Sequence, residues 1–162
     1  MRRQFLGAVA FWATMLLAGV PVALSAQTVL TVAPMDGKGP VHEFTMAQLQ
    51  ALPQTEIRTA NEFIDGARLF RGPTVLSVLR ASGASNAGTV RMIALNDYEI
   101  QVDTREFRKY DPILALTMDG QPLSVRDKGP IWMIYPMSDY PELRDPVFNS
   151  RLIWQLTRME FR

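Results

Sequence analysis

The chain has 162 residues, 48% of them hydrophobic and 20% charged, the balance of one globular domain rather than of a disordered segment. It contains no cysteine, which excludes disulfides, thiolate metal sites and a cysteine nucleophile together. The formal net charge is +1, and no basic footprint for nucleic acid stands out.

The first 26 residues form a separate unit. Arg2 and Arg3 precede an uncharged run from Phe5 to Leu24, and small residues follow in Ala23-Leu24-Ser25-Ala26. This is the pattern of a secretory signal peptide, with an uncleaved membrane anchor as the alternative because the apolar run has spanning length. Cleavage would leave a single domain, residues 27–162, with 15 basic residues against 16 acidic ones. An exported domain without disulfides is held by its core, and about 135 residues suffice for one.

Thr28 to Val32 alternates as a first strand, ended by the turn residues Asp36-Gly37-Lys38-Gly39-Pro40. The only histidine, His42, falls among these turn signals and reads as an exposed loop residue; with no second histidine, a hydrolytic triad has no base. Thr45 followed by Gln48 is a capping box, so a short helix starts there and Pro53 stops it after Leu52. Gln54 to Asn61 and Arg68-Leu69-Phe70 predict a hairpin across Asp65-Gly66. Pro73 at a first helical position predicts a helix over Thr74 to Ser82, ended by Gly83.

Thr89 to Leu95 and Tyr98 to Val102 form a second hairpin around Asn96-Asp97, with Tyr98, Ile100 and Val102 on one face. Asp103 and Glu106 cap a short helix through Lys109, and Ile113 to Met118 then runs extended to the turn at Asp119-Gly120. The closed run Gly129-Pro130-Ile131-Trp132-Met133-Ile134-Tyr135-Pro136 predicts a central strand buried on both faces. Alternation sends Ile131, Met133 and Tyr135 one way and Trp132 and Ile134 the other. Met137 to Asn149 is a long loop with one helical turn, and Arg151 to Phe161 an alternating terminal strand. Asp139, Glu142 and Asp145 lack calcium-loop spacing and read as a solvated loop. The nine methionines read as core filling more readily than as a copper site. Strands outnumber helices, so the class is α+β with a mixed or antiparallel sheet.

The order of motifs from Asp111 to Pro136, a leucine-alanine strand, Met118-Asp119-Gly120, Pro122-Leu123, Gly129-Pro130 and an apolar strand ending in Pro136, resembles the sulfite-oxidase-like molybdopterin-binding domain. Phe70-Arg71-Gly72-Pro73 with Val75, Leu76 and Leu79, Leu95-Asn96-Asp97-Tyr98, and Ile153-Trp154-Gln155-Leu156 extend the resemblance over residues 41–161. It implies the fold of that family. Catalytic members use a cysteine thiolate on molybdenum, and the corresponding region here is Arg58-Thr59-Ala60-Asn61, which offers none. Where the family's cofactor strand often carries arginine, this chain has Trp132.

These departures imply a pocket for a flat ring, a pterin without metal or charged tail. A pterin asks for an aromatic or apolar face and a carboxylate that accepts from its amino edge. Trp132 is the stacking candidate, with plain sheet core as the alternative, and Asp97 the carboxylate candidate, with ordinary turn residue as the alternative. Asn61, Arg58 and Arg71 are candidate donors to the ring, although the two arginines read more readily as surface charges, and Tyr98 is the remaining candidate, although it reads more readily as packing. No catalytic or metal-ligating residue is implied.

The function expected is that of an exported, periplasmic binding protein that senses a pterin and reports it to the periplasmic domain of a membrane signalling partner, such as a cyclic-dinucleotide enzyme. The alternatives are a molybdopterin-dependent oxidoreductase or its subunit, and a structural adaptor that binds nothing small. Export is directly testable: mass spectrometry of the periplasmic protein is expected to show a chain beginning at Ala26 or Gln27, whereas recovery of the intact Met1 form from membranes alone would establish the anchor.

Overall fold

The computed structural model describes residues 27–162. Residues 1–26, expected from the sequence to be a signal peptide, lie outside the described residues. Among the described residues, eleven strands in three sheets, three short α-helices and three 3-10 helices make up the regular structure, which agrees with the α+β expectation.

The chain enters through β1 (Thr28–Pro34) and turns back along β2 (His42–Thr45), an antiparallel edge strand. His42 therefore sits half-buried in a strand and not in an exposed loop; it pairs opposite Val32, because the glycine-rich turn closes sooner than its composition suggests. Thr45 caps α1 (Met46–Ala51) with both halves of the capping box: its side chain accepts from the Gln48 N–H at 3.2 Å, and Gln48 Oε1 accepts from the Thr45 N–H at 2.8 Å. β3 (Gln54–Thr59) and β4 (Arg68–Pro73) form the expected hairpin, with Gly66 at φ 68° in the turn. Pro73 does not open the next helix. It ends β4 opposite Gln54, and Thr74 caps α2 (Val75–Ala81) through the Ser77 N–H.

β5 (Thr89–Ala94) and β6 (Glu99–Asp103) follow as a hairpin, then α3 (Thr104–Tyr110), capped by Asp103. The extended run after Pro112 is divided into β7 (Ile113–Ala115) and β8 (Thr117–Met118), which serve different sheets; β9 (Gln121–Pro122) pairs with β8 across the Asp119-Gly120 turn. β10 (Trp132–Ile134) is antiparallel to β7, and two 3-10 helices, Pro141–Arg144 and Pro146–Arg151, lead to β11 (Leu156–Phe161). β11 lies parallel to β1 and antiparallel to β5, so the five-stranded sheet has the order β2-β1-β11-β5-β6. The second sheet has the order β3-β4-β8-β9.

β10 lies where the two apolar clusters of the molecule meet. Ile131, Met133 and Tyr135 belong to the larger cluster, while Trp132 and Ile134 belong to the smaller one with Phe70, Ile57 and Ile113. The alternation expected from the sequence is thus realised, with a core on each side. β4 and β7 approach so closely that a Cβ on Gly72 would collide with the backbone of Leu114 and Ala115. Met92, Met133, Met137 and Met159 are buried, in keeping with core filling.

Candidate functional site

Two cavities share Asn149 in their lining. The first, about 290 Å³, is walled by Phe63, Ala94, Ile153, Trp154 and Tyr98, with Asn96 and Ser150 at its polar margin. The second, about 420 Å³, is lined by Asn61, Glu62, Ser138 and Arg144, together with Ala60, Met137 and Pro146. An aromatic compartment and a polar one therefore meet at a single side chain.

The loop after β3 supplies one wall. Asn61 Oδ1 accepts from the Phe63 N–H at 2.9 Å, an Asx turn that fixes both the backbone and the amide orientation. The other amide atom, Nδ2, is buried without a hydrogen-bond partner among the described residues. Because Oδ1 is held as an acceptor by the Phe63 N–H, rotating the amide would only place a donor against a donor. An orphaned buried donor costs about 1–3 kcal/mol and asks for an explanation.

The opposite wall comes from residues 149–155. Met133 N–H donates to Ile153 O at 2.9 Å and Leu156 N–H to Ile131 O at 3.1 Å, so this segment runs along the side of β10 away from β7. Gln155 stands at φ 51°, in the left-handed region, and this kink separates Trp154 from β11. Trp154 is consequently turned outward at 36% exposure, edge-to-face with Phe63 at 5.1 Å between ring centroids. The continuous strand expected from Arg151 to Phe161 is broken at this point. Glu106 anchors the same segment from behind, accepting from Arg151 Nε at 3.1 Å and from the Tyr135 hydroxyl at 2.6 Å. Burial, reinforced by the adjacent Glu106 carboxylate, pushes the Tyr135 phenol far above its ordinary range, so it remains a donor.

The third wall is the β5–β6 turn, where Asn96 Oδ1 accepts from the Tyr98 N–H at 3.2 Å and Asp97 takes φ 63°. Asn96 and Tyr98 line the aromatic compartment. Asp97, exposed between them, lines neither cavity.

Of the six residues expected at a ligand site, two line this groove, Asn61 in the polar compartment and Tyr98 in the aromatic one. Trp132 is a core residue. It is 1% exposed, packs edge-to-face on Phe70 at 5.4 Å, and donates from Nε1 to Leu152 O at 3.0 Å. The face on which alternation places it is a second core and not a cavity. Arg58 and Arg71 project from the exposed side of β3 and β4, alternating with buried Ile57, Thr59 and Phe70, and neither lines a cavity. Phe63, Trp154, Glu62 and Asn149 were not anticipated. The Asx signal of Asn61 two places before an aromatic residue was the available clue to the first of them.

The side chains here offer molybdenum no thiolate. At the place where the family resemblance puts the thiolate, Thr59 is fully buried, its hydroxyl 3.1 Å from Ala60 O and 3.3 Å from Ser138 Oγ while accepting from the Ser138 N–H at 3.1 Å. That hydroxyl serves the protein's own packing. No cluster of three or more histidine, cysteine, aspartate or glutamate residues suited to a metal occurs among the described residues.

No family model matches the chain, and no curated protein matches it. Among solved structures it is similar to the sulfane dehydrogenase SoxCD from Paracoccus pantotrophus, with a TM-score of 0.59 at 12% identity over 82% of this chain and 37% of that one. The chain thus spans little more than a third of that structure. This likeness concerns the fold alone.

The two tryptophans are separable by stability. Trp132→Ala is expected to cost about 3–5 kcal/mol in denaturant unfolding, as for other buried aromatic truncations. Trp154→Ala, at the groove rim, is expected to cost under about 1 kcal/mol. Equal losses would place Trp154 in the core as well.

Proposed function

We propose that this chain is an exported binding protein that holds a flat, metal-free pterin-type heterocycle in the groove between Asn61, Trp154 and Tyr98, and carries out no reaction of its own. The observation that carries the reading is the buried Nδ2 of Asn61, without a partner among the described residues, at a polar compartment that shares Asn149 with an aromatic one. A ring carbonyl or ring nitrogen is the kind of acceptor that such a donor lacks, and an aromatic plane is what Phe63, Trp154 and Tyr98 are suited to cover. Thr59 in place of a thiolate supports a metal-free ligand.

In this reading the signal peptide delivers the chain to the periplasm, and its ligand state passes by contact to the periplasmic domain of a membrane signalling protein. Leu95, Tyr98, Val147 and Trp154 are exposed apolar side chains on the segments that form the groove, so a partner touching this rim would sense its filling.

The test is titration of the purified mature chain with pterin, followed by tryptophan quenching and calorimetry. Saturable one-to-one binding is expected, with Trp154→Ala weakening it about ten-fold through lost stacking and buried area, at about 1.4 kcal/mol per decade. Elemental analysis of protein made in a molybdenum-replete host is expected to find no stoichiometric metal. Absence of binding by the wild-type chain, or one equivalent of molybdenum per chain, would overturn the proposal.

A further inference from the structure

The polar compartment contains a carboxylate with spare acceptor capacity. Glu62 Oε2 accepts from Nδ2 of Asn149, the residue that lines both compartments, while Oε1 has no partner among the described residues. Glu62 enters no ion pair there either. Beside it stands Asn61, whose Oδ1 is committed to the Phe63 N–H and whose Nδ2 has no acceptor. Two neighbouring residues on one turn thus line the same compartment, Glu62 with a carboxylate and Asn61 with an unused amide donor that is itself covered from solvent.

That combination has a chemical complement. A carboxylate accepts in parallel from two adjacent N–H groups, and an amide N–H₂ donates to a carbonyl next to them. The 2-amino-4-oxo edge of a pterin presents this row: the exocyclic amine and the ring N3–H as donors, then the C4 carbonyl as acceptor. Asp97, which was the carboxylate expected to fill this role, lies outside both cavities.

We propose that Glu62 is the residue that selects the ligand, accepting from the 2-amino group and N3–H while Asn61 Nδ2 donates to the C4 carbonyl and the ring lies toward Trp154 and Phe63. This rests on the pterin reading of the groove and adds its specificity. Ligand entry releases Asn149 from Glu62 and opens the boundary between the compartments. The pteridine that bears a second carbonyl in place of the amine sets an acceptor against the carboxylate and is rejected, since two acceptors cannot pair.

The experiment compares pterin with lumazine, the 2,4-dioxo analogue of the same ring, near neutral pH. The two share size and stacking surface, so their ratio isolates the edge. For the wild-type chain a preference for pterin of about ten-fold or more is expected, the scale set by one unmatched polar pair. Glu62→Gln keeps an oxygen for N3–H and replaces the other with a donor that can face the lumazine carbonyl; it is expected to reduce the preference to less than about three-fold. Glu62 is exposed, so the variant's melting temperature is expected to match the wild type and a folding defect is separable. Asn61→Asp, which keeps the acceptor for Phe63 but places an oxygen against the C4 carbonyl, is expected to weaken both ligands together. Equal binding of pterin and lumazine by the wild type, or a preference that persists in Glu62→Gln, would overturn the assignment of Glu62 while leaving a flat-ring site standing. Failure of the wild type to bind either would remove the pterin reading itself.

Discussion

A three-residue strand buried on both faces constrains everything around it. Trp132, Met133 and Ile134 have almost no contact with solvent, and their side chains are divided between two apolar clusters. Full burial of a large apolar side chain contributes roughly 1.5–3 kcal/mol, so this short segment stabilises both halves of the molecule at once. One backbone edge is taken by β7, and the other by residues 152–156, through the Met133 N–H and the Ile131 carbonyl. The glycine at position 72 follows from the same crowding, since β4 can reach β7 only where no Cβ intervenes.

The groove is a consequence of how that edge is covered. Had the segment after Leu152 continued as a regular strand, Trp154 would alternate into register with β11. The left-handed turn at Gln155 ends the register, and an aromatic side chain is left facing outward against Phe63. Behind it, the Arg151–Glu106–Tyr135 hydrogen bonds hold the segment to α3 and to the end of the buried strand. In front, the Asx turn of Asn61 holds Phe63 in place and leaves one amide donor unused. A rigid floor with polar groups on the loops above it is a common arrangement for binding sites.

Local chemistry was the most legible part of the sequence. The capping box at Thr45, the turns at Gly66 and Asp119-Gly120, and the alternation along the buried strand all depend on neighbours within a few positions, and each was readable. What alternation does not disclose is the nature of the surroundings on each face. Trp132 was placed on the correct face of its strand, but that face meets Phe70 and a second core, a fact of tertiary packing. The reverse holds for Trp154, whose outward turn depends on a single backbone angle at Gln155 that no residue type there demands. Pro73 fitted a helix start as well as a strand end, and pairing with Gln54 decided it. Glu62 and Asn149 are 87 positions apart, so their meeting at the groove had no local sign at all.

The proposed site holds ligand beside Trp154 and Asn61 and away from Trp132, and nitrogen-edited NMR reads all three side chains in one titration. Pterin is added to the labelled mature chain while the two indole N–H signals and the Asn61 side-chain amide are followed. Saturable shifts of the Trp154 indole and the Asn61 amide are expected, with the Trp132 indole, held by the Leu152 carbonyl, nearly unmoved. A shifting Trp132 indole with Trp154 and Asn61 unchanged would contradict that placement.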